Sequence, residues 1–516
     1  MEKGTPINSV PDFVDAVRRH AHYRGSRIAV GDAKGTATFA ELVAASDSVA
    51  QFLQSRVRPG GRVAIAMTPS APYLTLVAAC LSAGLVAAPV NTRLAPAEAR
   101  RYLDQLEPAV LVADPTHADW AERLGFETLV VDTVDQRAPL HVRLARLTNR
   151  SDARPEPFLR SDEHPALVFG TGGTTGTPKA AVYTHAGLSM NMWCYGIDGL
   201  HATTTFELNC TPFFHVALMG PLTTLYYGGR VDVLAQFDPD LVLKAMDEGV
   251  TMVGGAAPTV YTMLREHPRF RDTYRDGIAH ILYGTTPSTP DFARQLLEDY
   301  PRAQVMSGFG ATETGLVAFA GRADLDAGRL IGVGRPVPGA TVRVVDDNGE
   351  EIPNGEIGEL ATTTPWSAAG YWGNDQETET AWRPEGIRIG DLGTMSADGW
   401  LTIVGRRKDM IISGGENVYP SEVEPVLMRY PGIVSAVVFG LPDDQWGERV
   451  EATVVTENNQ ALDVEHLRQW AREHIAPYKV PKRVHVVTEL PMTAVMKIDR
   501  VRTRELALGD ESGVTL

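Results

Sequence analysis

The feature that most constrains this chain is the alternation of short apolar runs with helical stretches. Val63–Met67 leads into the helical segment Tyr73–Ala83 and then into a second apolar run, Val86–Val90, which is the pattern of a βαβ unit. The pattern returns at Leu208–Phe214, a helical Val216–Tyr227, and Val231–Leu234 after the Gly228-Gly229 turn, so two layered α/β subdomains are expected. From Thr341 to Leu360 the period shortens to alternating strands with turns at Asp347-Asn348-Gly349 and Asn354-Gly355, which predicts a small β-rich subdomain. A chain of 516 residues exceeds the roughly 250–300 at which a single core stops growing, so at least two domains are required.

The second domain has a recognisable border. The charged stretch Gly405-Arg406-Arg407-Lys408-Asp409 is followed by Met410-Ile411-Ile412 and Ser413-Gly414-Gly415. Beyond it, helix Ser421–Arg429, strands Val434–Phe439 and Val450–Val455, helix Val464–His474 and strand Arg483–Val487 predict a compact α+β unit, with Gly509–Leu516 as a tail. The expected division is a large α/β domain over 1–404, a hinge at 405–409 and a small, mobile α+β domain over 410–516.

Composition serves mainly to exclude. A net charge of -16 argues against general nucleic-acid binding, so any phosphate site must be built locally. Cys80, Cys194 and Cys210 lack CxxC spacing, which fits a reducing cytoplasm better than a disulfide framework or a structural zinc. Met1–His22 has no uninterrupted apolar stretch, so secretion is not expected. The apolar run Ala71–Val90 approaches membrane-spanning length, but Pro72, Gly84 and Pro89 divide it into helix, turn and strand.

The chemistry concentrates in loops. An apolar strand from Leu167 runs into Thr171, Gly172, Gly173, Thr174, Thr175, Gly176, Thr177, Pro178 and Lys179, offering backbone N–H groups, hydroxyls and one cation to a polyphosphate. The Gly-Lys-Ser/Thr ending of a Walker loop is absent, and alone this stretch reads equally as a turn. It is followed in order by Ser307-Gly308-Phe309-Gly310-Ala311-Thr312-Glu313-Thr314, Ile389-Gly390-Asp391-Leu392-Gly393, the Gly405–Asp409 stretch, Ser413–Pro420, and Pro491-Met492-Thr493-Ala494-Val495-Met496-Lys497. With these motifs the sequence resembles the adenylate-forming superfamily of acyl-CoA synthetases, peptide-synthetase adenylation domains and luciferases, and within it fatty-acid or aryl-acid CoA ligases.

That resemblance implies roles for individual residues. The loop from Thr171 to Lys179 would grip phosphates, Gly284, Thr285 and Thr286 would line adenine, and Phe309 and Gly310 would flank it. Thr312 would bond the α-phosphate and Glu313 would hold Mg²⁺, a hard cation that takes one or two carboxylates plus phosphates and water. Asp391 would accept from the ribose hydroxyls, and Arg406 would reach ribose or phosphate. Lys408 would be the hinge, and Gly414 and Gly415 the loop that enters for the thioester step. His215, in Pro212-Phe213-Phe214-His215, would flank the carboxylate. Lys497 would be the catalytic lysine, its ammonium stabilising charge as a carboxylate attacks phosphorus. Taken singly, Glu313 reads as a solvated carboxylate and His215 as a core histidine. The chain departs from the family at Gly172, usually serine, and at Ala180 and Met496, usually glycine.

The predicted acyl pocket comprises His215, Met219, Gly254, Gly255, Ala256 and Ala311. The small residues in Leu218–Gly220 and Val253–Pro258 leave room for a chain or ring, and neither segment contains a charge, so a medium or long fatty acid is expected first and an aryl or cinnamic acid next. The expected reaction is ATP-dependent formation of acyl-AMP and pyrophosphate, then transfer to coenzyme A, with ATP and coenzyme A as cosubstrates and Mg²⁺ as cofactor. Alternatives are another acceptor or anion, such as a carrier-protein thiol, an amine or nitrite, and a non-catalytic nucleotide-binding protein. The resemblance is compatible with a homodimer and implies neither a nucleic-acid partner nor a membrane span.

Overall fold

The computed structural model describes residues 12–131, 140–144, 147, 155–156, 163–171, 179–196, 201–254, 257–284, 288–493 and 497–511. Two large sheets form the body. The first has the spatial order Thr128–Val130, Val110–Ala113, Arg62–Ala66, Val86–Pro89, Pro165–Thr171, Lys179–Thr184. Its neighbours are parallel except for the last pair, an antiparallel hairpin. The second runs Arg335–Pro336, Gly315–Ala320, Gln304–Ala311, His280–Gly284, Met252–Gly254, Phe206–Asn209, Arg230–Val233, Ile28–Asp32, Gly35–Thr38. Its interior is parallel and its two rims are antiparallel. Parallel strands present their carboxyl ends on one side of a sheet, and Asn209, Gly254, Gly284 and Ala311 therefore end together.

Helices Phe13–Arg24, Phe39–Gln54 and Ala71–Ser82 lie in a core shared by both sheets, where Phe39, Leu42 and Val49 pack with Val30 of one and Val63 and Ile65 of the other. Phe39–Gln54 starts at a capping box: Glu41 N donates to Thr38 Oγ1 at 3.3 Å and Thr38 N to Glu41 Oε2 at 2.8 Å. Ala71–Ser82 is buried on every face. At about 1.5 Å per residue it spans ~18 Å, well short of the roughly 30 Å hydrocarbon layer, so its uniform apolarity reflects burial between sheets. Among the described residues no helix is long and apolar enough to cross a membrane.

A third sheet joins Thr341–Val345, Gly358–Thr363, Asp391–Met395 and Leu401–Arg406 with the short pair Trp382–Arg383 and Gly386–Ile387. A fourth is built on the antiparallel pair Ile433–Asp443 and Gly447–Thr456, flanked by Ile411–Ser413, Glu416–Val418 and Arg483–Val487. Its core packs Val423 and Leu427 of helix Pro420–Met428 and Leu467 and Ala471 of helix Val464–His474 against Val438, Val450 and Ala452.

Three sequence expectations are corrected. The strand expected at Leu208–Phe214 ends at Asn209, because Asn209 Oδ1 accepts from Thr211 N at 3.1 Å and turns the chain. The helix expected over Val216–Tyr227 is a 3₁₀ turn, Val216–Leu218, followed by the α-helix Met219–Tyr226. Gly509 is not the start of a tail: the helix Arg500–Glu511 runs through it, anchored by Ala507 in a core with Val437 and Leu441.

Candidate active site

A cavity of about 2700 Å³ opens at the carboxyl ends of the second sheet and is lined by residues of the large body and of the carboxyl-terminal unit. Thr171, Lys179, His215, Met219, Gly284, Phe309, Gly310, Ala311, Thr312, Glu313, Asp391, Arg406, Lys408 and Lys497 all line it. Gly172, Gly173, Thr174, Thr175, Gly176, Thr285, Thr286, Gly255, Ala256 and Met496 lie outside the described residues.

The loop between Thr171 and Lys179 joins two antiparallel strands, which pair Thr171 with Lys179. Lys179 Nζ is held by Glu377 Oε2 at 2.6 Å and lies 5.1 Å from the centre of the Tyr371 ring.

Thr312 and Glu313 sit at the tip of the hairpin between Gln304–Ala311 and Gly315–Ala320. Gly315 closes that turn at φ +65°, a conformation that favours glycine. Its carbonyls are fixed from three sides: Tyr183 Oη donates to Thr312 O at 2.9 Å, Ala368 N to Glu313 O at 2.9 Å, and Thr364 Oγ1 to Thr314 O at 2.9 Å. Glu313 is buried, and its Oε1 accepts from the Tyr371 hydroxyl at 2.7 Å. Burial and Glu313 itself keep that hydroxyl protonated. Glu313 Oε2 has no hydrogen-bond partner among the described residues. One carboxylate with a free oxygen fits Mg²⁺, which keeps water and substrate phosphates as ligands. It does not form an all-protein cage, for the described residues contain no group of three or more His, Cys, Asp or Glu able to hold a metal.

Asp391 and Arg406 face each other across antiparallel strands, with Arg406 Nε on Asp391 Oδ1 at 2.9 Å. Burial raises the Asp391 pKa and the Arg406 charge opposes the rise. Oδ2 makes no hydrogen bond among the described residues. Lys497 reaches the same region from a short hairpin in which Thr493 N donates to Lys497 O at 2.7 Å and Lys497 N donates to Thr493 Oγ1 at 3.2 Å. Burial, reinforced by Arg406 and opposed by Asp391, lowers its pKa.

His215 is the most telling single group. Its Nδ1 accepts from Ala217 N at 3.0 Å, which fixes the proton on Nε2, and Nε2 is buried with no partner among the described residues. Burial first, then Lys497 and Arg93, pushes its pKa down to about 3, so the ring stays neutral. A buried orphan donor costs stability unless a ligand fills it, and an incoming carboxylate would. Cys210, also on the wall, is buried with its thiol pKa pushed up to about 12 by burial and by Glu207.

Other expected residues lie elsewhere. Gly414 and Gly415 form the two-residue turn of the hairpin Ile411–Ser413 and Glu416–Val418, both at positive φ, and neither lines the cavity. Gly254 is not on the wall either: a Cβ there would come within 2.3 Å of Glu207 Oε1. Sequence reasoning missed Tyr371 and Glu377, for which the signal was an aromatic pair between glycines, Gly370-Tyr371-Trp372-Gly373.

The chain is similar to known proteins over most of its length. The AMP-binding enzyme family matches residues 17–372, and the AMP-binding enzyme C-terminal domain matches residues 422–497. The chain is 36% identical to a feruloyl-CoA synthase of Amycolatopsis sp, across 90% of this chain and 93% of that one. It is 31% identical to an indoleacetate–CoA ligase of Aromatoleum aromaticum, across 95% and 97%. Among solved structures, the amide bond synthetase McbA from Marinactinospora thermotolerans superposes with a TM-score of 0.86 at 28% identity, covering 96% of this chain and 99% of that one.

Proposed function

The chain belongs to the AMP-binding enzyme family, and from that premise we propose that it is an AMP-forming acid–thiol ligase acting on a fatty or aryl acid. The substrate carboxylate attacks the α-phosphorus of ATP, releasing pyrophosphate and leaving an acyl-AMP. The thiol of coenzyme A then attacks the acyl carbonyl and AMP leaves. The observation that carries this reading is the orphaned Nε2–H of His215 in the same cavity as the half-buried Lys497 ammonium, the Asp391–Arg406 pair and Glu313.

In this reading His215 donates to the carboxylate and orients it, Asp391 takes the ribose hydroxyls, and Thr312 bonds the α-phosphate. Lys179 exchanges Glu377 for phosphate oxygens. Mg²⁺ held by Glu313 would offset charge on the departing pyrophosphate. Lys497 supplies a cation where the entering oxygen, phosphorus and leaving oxygen exchange charge. The unit over 410–516 then swings about Lys408, withdrawing Lys497 and bringing in the Gly414-Gly415 turn.

The test is pyrophosphate release from ATP with fatty and aryl acids, each with and without coenzyme A. Thioester appearing only with coenzyme A supports the proposal. No pyrophosphate with any acid would refute adenylation, and pyrophosphate with an amide but no thioester, when amines are also supplied, would move the acceptor to an amine.

Two further outcomes follow. Asp391→Ala removes a charge-assisted bond to the ribose, and the KM for ATP is expected to rise about ten- to a hundredfold. The second concerns pH. Because burial and Arg406 favour the neutral amine, Lys497 loses its proton below the ordinary lysine pH, and the protonated form is the one that assists. The kcat/KM for ATP should therefore fall as pH rises through that lowered value. Lys497→Arg should move the fall to higher pH; an unchanged alkaline limb would assign it to another group.

A further inference from the structure

Three buried polar side chains lie behind the acyl wall. His201 Nδ1 is 2.8 Å from Thr224 Oγ1, and Thr224 Oγ1 donates to Glu207 Oε2 at 2.5 Å. All three are buried, Glu207 and Thr224 with no exposed surface. Glu207 is the second residue of the apolar strand Phe206–Asn209, an expensive place for a carboxyl group unless it is used. Its Oε1 has no hydrogen-bond partner among the described residues and packs against Gly220 and Gly254, where a Cβ would approach to 3.1 and 2.3 Å.

The chain of bonds has a direction. With Glu207 ionised, the single proton of the Thr224 hydroxyl goes to the carboxylate, and Thr224 Oγ1 then accepts from His201 Nδ1–H. His201 Nε2 is then a bare acceptor. It makes no hydrogen bond among the described residues, and His201 lines the cavity beside Tyr195, whose ring stands edge-on to it at 6.2 Å. Burial drops the His201 pKa to about 3, and burial also lowers that of nearby His280, so neither ring competes as a cation.

The two histidines flank opposite ends of one strand. His201 precedes the amino end of strand Phe206–Asn209 and neighbours His280, the first residue of His280–Gly284, whereas His215 follows the carboxyl end. Four residues at roughly 3.3 Å each put about 13 Å of strand between them. One imidazole thus offers a donor to the carboxylate end, and the other an acceptor to the distal end.

We propose that His201, oriented by Thr224 and Glu207 as positioning residues, recognises a hydroxyl or N–H on the distal end of the acid, so that the substrate is an aryl acid carrying a hydrogen-bond donor rather than a fatty acid. This rests on the acid-activating reading given above. An aliphatic tail would bury His201 Nε2 without a partner, and selectivity for the donor is expected at about ten- to a hundredfold.

The test compares matched pairs by pyrophosphate release at pH 8.5, above the value of about 7 to which burial raises Glu207, so that its carboxylate is ionised. The pairs are 4-hydroxycinnamate with cinnamate and indole-3-acetate with 1-naphthaleneacetate, and octanoate serves as the fatty acid. The donor-bearing acid should exceed its partner at least tenfold in kcat/KM in one or both pairs. His201→Phe should bring that ratio toward one, and Thr224→Val, a smaller change that releases the ring from its tautomer, should lower it as well. A wild-type ratio near one in both pairs, or a ratio that survives in folded His201→Phe and Thr224→Val, overturns the inference. Turnover of octanoate with none of the four aryl acids overturns it while leaving acid activation intact. Failure of every acid would remove the acid-activating reading, and this inference with it.

Discussion

Lys497→Ala is expected to slow acyl-AMP formation by about 10²–10³-fold, the range found when one preorganised donor to a developing charge is removed. Thioester formation from supplied acyl-AMP should change little. The asymmetry follows from where Lys497 sits: its hairpin brings a half-buried ammonium beside Arg406, Asp391 and His215, within the cavity that would hold ATP. In the same arrangement the Gly414-Gly415 turn is away from the cavity, with Gly414 N bonded to Trp446 O at 2.7 Å. The two elements cannot both serve from this geometry. Rapid-quench measurement of each half-reaction separately provides the check, and an equal loss in both would show that Lys497 holds the fold or the nucleotide rather than assisting one step.

Lys408→Pro is expected to give the mirror image, with adenylation kept within a few-fold and thioester formation reduced about a hundredfold or more, because the second geometry is never reached. Lys408 is the second residue of the 3₁₀ turn Arg407–Asp409, which follows directly on the strand carrying Arg406. Proline's fixed φ suits the first turn of a helix, so the substitution fits the arrangement described here and resists a large rotation away from it. The same single-turnover assays decide: a full-rate thioester step in the variant places the hinge elsewhere.

Local signals carried much of this fold. Helix Val464–His474 and strand Arg483–Val487 have the bounds that their periodicity predicts. The Thr312-Glu313 motif lies at a hairpin tip, and Gly414-Gly415 forms a tight turn whose positive φ glycine adopts without strain. Long-range relations were not legible. Nothing in the chain indicates that Glu377 meets Lys179 across 198 residues, or that Glu207 and Thr224 join His201 behind the pocket wall. The fatty-acid preference came from the segments around Met219 and Gly254, which carry no charge; the buried carboxyl between them belongs to a neighbouring strand. The strand expected to reach Phe214 stopped early because a side chain, Asn209, competed for the backbone.

Cys210 gives the chemistry a safety margin. An acyl-AMP is a mixed anhydride that acylates any thiolate within reach, and here a thiol lies on the wall of the chamber where it forms. Burial, with Glu207, pushes the Cys210 pKa up to about 12, so at neutral pH its thiol is far less ionised than an ordinary one. Nucleophilic competition is thereby left to the thiol that arrives from solution, and an acyl-AMP held in this cavity would not find its acceptor in the wall.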